Sequence, residues 1–174
     1  MLQMLKRRID EMRTIKTLCT AAERHANADG AREPGLEHFL LAALDLPDGT
    51  ARRAFARAGA DPDGFRSAVA RQYADALAGI GIAPDAAAAV PSMPVAPASG
   101  PYRAKTQVES LMRTLAAREE KRAGAGLLGA HVVAAIAAER HGVAARALAR
   151  MGLDEDALER AALAEADAAA GVRA

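Results

Sequence analysis

The chain has 174 residues, enough for one ordinary domain or two small packed halves around a real core. Its 23 basic and 22 acidic residues leave a net charge of +1, and aromatics make up 3% with no Trp. That balance supplies neither a basic nucleic-acid face nor an aromatic stacking platform for single strands.

Nineteen of the 23 basic residues are arginine and alanine is abundant, a bias typical of GC-rich bacterial genomes. Alanine, leucine and arginine are strong helix formers, β-branched residues are scarce, and no stretch alternates with period two. The expected fold class is therefore all-α. Cys19 is the single cysteine and has no disulfide partner in the chain, which suits a reducing compartment. The opening MLQMLKRR has charges but no apolar run behind it, so it is not a secretory signal. No apolar stretch approaches the roughly 20 residues that span a bilayer. A cytoplasmic protein without membrane contact is expected.

Taken in chain order, residues 1–12 carry a stripe of Leu2, Leu5, Ile9 and Met12, with Lys6, Arg7, Arg8, Asp10 and Glu11 elsewhere. They form either an extra N-terminal amphipathic helix, packed on the domain or docked on a partner, or an extension of the next helix. Four helices follow, at about 14–28, 36–46, 50–58 and 62–78, in a first repeat over 13–78. Leu36, Phe39, Leu40, Ala43 and Leu44 share one face of the second. Gly59 falls where the third should stop, because glycine accepts the left-handed conformation after a last turn. Asp61 can cap the fourth, with Pro62 at a permitted first-turn position. Residues 79–101 hold five of the eight prolines and read as an extended connector. A second repeat over 102–170 places helices at about 104–122, 129–139, 143–151 and 155–169. Val108, Leu111, Met112 and Leu115 line one face of its first helix.

The second set duplicates the first. A shift of 93 residues lays 38–65 on 131–158 without a gap, with identity at 11 of 28 positions. Four of those are alanine pairs, which this composition produces by chance. His38/His131, Gly49/Gly142, Gly59/Gly152, Asp61/Asp154 and Asp63/Asp156 are harder to dismiss. Upstream, Ile15, Thr17 and Leu18 meet Val108, Ser110 and Leu111.

Candidate chemistry is sparse. His38 and His131 occupy equivalent places, which argues for one structural job done twice. HExxH and CxxC spacings are absent, so no metal site is expected. Cys19 reads as a small core residue, and His25, six positions on, is at the wrong angle to serve it as a base. GAGLLGAH (124–131) lacks the Lys-Ser/Thr of a phosphate loop and reads as a helix-to-helix loop. No catalytic residue and no cofactor is expected.

The segments GLEHFLLAAL and GTARRAFARAGAD, repeated as GAHVVAAI and HGVAARALARMGLD, resemble the N-terminal domain of the Clp/Hsp100 unfoldases. The resemblance covers about residues 13–169, with PYRAKTQVESL (101–111) similar to the start of that family's second repeat. It implies a pseudo-twofold domain of about eight helices that binds proteins: a Clp ATPase, an adaptor, or an unfolded or tagged substrate. The chain lacks the ring's phosphate loop, so it is expected to be either a stand-alone module, the favoured reading, or a fragment of a larger unfoldase, acting as an accessory or regulator of Clp-type proteolysis or disaggregation. In some family members a pocket at the start of this EH helix binds phosphorylated arginine through the glutamate, the preceding threonine and nearby backbone. Glu37 matches that glutamate and Leu36 stands at the threonine position; in the second copy Ala130 and Gly129 stand there. The candidate peptide- or adaptor-binding residues are therefore Gly35, Leu36, Glu37, His38, Ala130 and His131. The alternative is a helical DNA-binding regulator using Arg52, Arg53 and Arg57.

Overall fold

A computed structural model describes residues 2–81, 106–117 and 126–173. Among these residues there are eight helices and no strand. They are α1 (Leu2–Ala28), α2 (Leu36–Leu44), α3 (Thr50–Arg57), α4 (Gly64–Gly79), α5 (Thr106–Ala117), α6 (Gly129–Ala137), α7 (Val143–Arg150) and α8 (Glu155–Arg173). The all-α expectation holds. The expected connector falls almost wholly outside the described residues.

Helix ends follow local chemistry. Gly59 and Gly152 adopt φ values of 81° and 72°. In each case the next residue's N–H reaches back across the turn, Ala60 to the Phe55 carbonyl and Leu153 to the Leu148 carbonyl, at 3.0 and 3.2 Å. The glycine N–H bonds the carbonyl three residues before it in both copies. This double bond pattern satisfies carbonyls that a helix end leaves open. Asp154 caps α8 by accepting the Ala157 N–H at 2.7 Å. Asp61 accepts the Asp63 N–H at 3.0 Å, and a turn over residues 62–63 precedes α4, so that helix starts two residues later than its sequence suggests.

α2 and α6 are apolar nearly all round. All nine residues of α2 are buried, and eight of nine in α6. Helices of that kind belong at the centre of a bundle, and these two pack on each other. The remaining contacts pair up under the 93-residue shift. α1 lies on α2 as α5 lies on α6, and α3 packs on α6 as α7 packs on α2. α3 also meets α8, and α7 meets α4. Each half thus lends its third helix to the other half, and the copies are related by pseudo-twofold symmetry. Phe55 and Phe65, edge to face at 6.2 Å, fill the first half's core where Leu148 and Leu158 fill the second's. Gly129 lets the helices approach closely: a Cβ there would lie 3.0 Å from both the Ala43 carbonyl and the Ala51 Cβ, tighter than ordinary contact.

Residues 2–12 are continuous with the next helix, so the extension alternative describes α1. Its buried face includes Glu11, Leu18, Ala22 and His25. Ile9 and Met12 are 42% and 70% exposed, and do not pack into the core. Met12 sits one position after Glu11, about 100° further round the helix, which turns it to solvent.

Candidate functional site

The start of α2 gathers the polar residues of the first half. Gly35, Leu36, Glu37 and His38 are all buried. The His38 Nδ1 accepts the Gly35 N–H at 2.9 Å, reaching back from the third helical position to the cap. With Nδ1 accepting, the neutral ring carries its proton on Nε2, which faces the Asp29 carboxylate at 3.4 Å. In the second copy the His131 Nδ1 accepts the Leu128 N–H at 3.0 Å. The two histidines do share one structural job, closing a helix start.

Glu37 is 3% exposed. Its carboxylate folds back over Gly35, where a Cβ would lie 2.6 Å from both oxygens, so that space exists because residue 35 is glycine. The Tyr73 hydroxyl, from α4, donates to the Glu37 Oε1 at 2.8 Å. Burial, then the hydrogen bond to Glu37 and the charges of Glu37 and Asp29, push the Tyr73 phenol well above its ordinary value; Arg146 acts weakly the other way. Tyr73 therefore remains a hydrogen-bond donor throughout the physiological range.

A further chain of polar contacts leads away from this point. Asp29 meets Arg66 at 3.6 Å, Arg66 contacts the His25 Nδ1, and the His25 Nε2 lies 2.7 Å from Asp45. Arg24 joins the same Asp45 oxygen at 3.0 Å. These contacts tie the C-terminal end of α1 to α2 and α4. The sequence singles out His25 only to discard it as a partner for Cys19, which is partly buried against the core.

The start of α6 is built differently. The Asp48 Oδ2 accepts the Gly129 N–H at 3.1 Å, and the Thr50 hydroxyl oxygen accepts the Ala130 N–H at 2.8 Å. The same hydroxyl donates to the Asp48 Oδ1, which also accepts the Thr50 N–H at 2.8 Å. First-half residues thus satisfy the orphan donors of a second-half helix. Ala130 is fully buried beneath them and His131 is part-buried. Under the 93-residue shift, Asp48 and Thr50 correspond to His141 and Val143, and valine has no acceptor to offer the start of α2. The two sets of candidate residues therefore sit at helix starts of different construction.

Across the pseudo-twofold, the Arg57 Nε donates to Glu165 at 2.9 Å and the Arg53 Nε to the same carboxylate at 3.0 Å. The mirrored contact is the Arg150 Nε donating to Gln72 at 3.1 Å. Burial raises the Glu165 pKa, but the hydrogen bonds and charges of Arg53 and Arg57 outweigh it and hold it below the usual value. Arg52 pairs with Asp63. The three arginines that motivate a DNA-binding alternative are all engaged with carboxylates.

Eight helices in two interlocked sets, with polar groups collected at the starts of the two central ones, define a duplicated helical module. Comparison with protein families gives one likeness: residues 13–87 match the Clp repeat (R) N-terminal domain. Such a domain is a module of protein interaction, and nothing in the comparison favours DNA binding. No curated protein matches the sequence. No helix among the described residues is long and apolar enough to cross a membrane.

Proposed function

We propose that the chain is a non-catalytic, cytoplasmic protein-binding module that serves Clp-type proteolysis or disaggregation as an accessory or regulator. Its partner is a Clp ATPase, an adaptor, or an unfolded or tagged substrate. The partner engages the first half at the start of α2, through Gly35, Leu36, Glu37 and His38, with Glu37 receiving a cationic side chain.

The observation that carries this reading is the inequality of two equivalent helix starts. At α6 the donors of Gly129 and Ala130 are already met by Asp48 and Thr50. At α2 the corresponding place holds Glu37, an acidic group within a cluster of Asp29, His38 and Tyr73. A carboxylate that accepts a guanidinium forms one of the stronger polar contacts available to a protein surface. Ala130 and His131 offer no such group, so the second half contributes support rather than recognition.

The test is capture of partners from the native lysate with the intact protein, wild type beside Glu37→Gln. Recovery of a Clp ATPase, an adaptor or unfolded clients by the wild type, reduced at least severalfold by the variant, is the expected result. Equal capture by a folded Glu37→Gln protein would remove the site from α2.

A further inference from the structure

Glu37 presents a difficulty that the proposed function does not resolve. A carboxylate 3% exposed cannot touch a partner's cation as it stands. Two features of its surroundings favour that withdrawn position. One is the missing side chain of Gly35, which leaves room for the carboxylate to fold back onto the helix start. The other is the Tyr73 hydroxyl at 2.8 Å. Tyr73, on α4, is itself only part-buried, so the group that bonds the buried carboxylate is partly open to solvent. In the second half the 93-residue shift places Ala166 at its position and Ala130 at that of Glu37, so the pair is absent as a unit.

We infer that Tyr73 is a positioning residue that holds Glu37 withdrawn, and that a partner's cationic side chain gains the carboxylate by displacing the phenol. This rests on the reading of α2 as the partner site and adds its regulation. In the closed arrangement the phenol satisfies the buried acceptor; in the open one the incoming cation does. A buried charged group is never left without a partner on either side of the exchange. The hydrogen bond given up on opening lowers the apparent affinity, as for any site whose competent state is a minor one. The second half holds no such gate because it has no carboxylate to gate.

The experiment titrates N-acetyl-arginine amide into the intact protein and follows the backbone amide signals of Gly35 to His38 by NMR. The wild type, Tyr73→Phe and Glu37→Gln are compared. Tyr73→Phe keeps the ring and removes only the donor. It should bind the probe roughly tenfold more tightly than wild type, the scale set by one hydrogen bond to a charged group. Glu37→Gln should show no saturable shift. Tyr73→Phe binding within twofold of wild type, or more weakly, overturns the gate, and so does absence of binding in both. If Glu37→Gln loses binding while Tyr73→Phe matches wild type, the gate fails and the α2 site stands. If Glu37→Gln binds as wild type does, the site itself falls and takes the gate with it. Should Tyr73→Phe unfold, Tyr73→Leu repeats the test with an apolar contact retained. Failure of both to fold would make Tyr73 a structural prop and end the proposal.

Discussion

Glu165 shows how one side chain joins the two halves. It is a nearly buried carboxylate on α8 that accepts hydrogen bonds from two α3 arginines, each about half exposed. Exposure of the arginines limits the strength of the pairs to the order of 1 kcal/mol in total. Its pKa is depressed in the folded protein, despite burial pushing the other way. The sign follows from that depression. The contribution is complete above the unfolded carboxylate's value of about 4.3 and is lost as pH falls through the lower folded value. Glu165→Gln should therefore cost about 1 kcal/mol at pH 7, and the gap from wild type should narrow on acidification to about pH 3 as the carboxylate takes up its proton. Urea melts of both proteins at the two pH values check this; a gap that widens on acidification would reverse the assignment. The arginines in question are visible in the sequence as a pair on one helix, but their partner lies 112 and 108 residues away, and no local pattern links them.

Among the elements, α6 depends on residues that its own sequence does not contain. Its first two N–H donors are met by Asp48 and Thr50, which at the same time start α3. A capping side chain is worth about 0.5–2 kcal/mol, and Asp48 serves two helices at once. Asp48→Ala should destabilise the protein by about 2 kcal/mol, near the top of that range. His141→Ala, at the equivalent but exposed place in the second half, should stay within about 0.5 kcal/mol of wild type. Equal effects measured by chemical denaturation would mean that the helix starts are not built differently after all. Several helix features were legible beforehand. The stops at Gly59 and Gly152, the apolar face of α2 and the structural role shared by His38 and His131 each depend on residues at most a few positions apart. The course of α1 was only partly legible. Its apolar stripe at Ile9 and Met12 has helical spacing, yet spacing says that a face exists and not what covers it.

On the scale of the whole molecule, the halves are interlocked rather than merely adjacent. α3 of the first packs on α6 and α8 of the second, while α7 of the second packs on α2 and α4 of the first. Neither half can close its own core. A fragment of residues 1–81 would leave the α2 face that meets α6 open to water, along with apolar surface of α3 and α4. Such a fragment should be poorly folded, with a weak, non-cooperative thermal transition by circular dichroism. A sharp transition and dispersed amide signals from it would show the halves to be independent. Fold class, the duplication and most helix limits followed from the sequence alone, because composition, periodicity and glycine stops act within a few residues. The family resemblance lay in the same short-range features. What only the tertiary structure decided is which surfaces and donors are already used. The withdrawal of Glu37 beneath Tyr73, 36 residues away, and the filling of the α6 start by Asp48, 81 residues away, are contacts created by chain packing. Two helix starts equivalent under the duplication therefore became one that holds a carboxylate against a phenol and one capped by side chains of the other half, a difference set by the neighbours that folding brings to each.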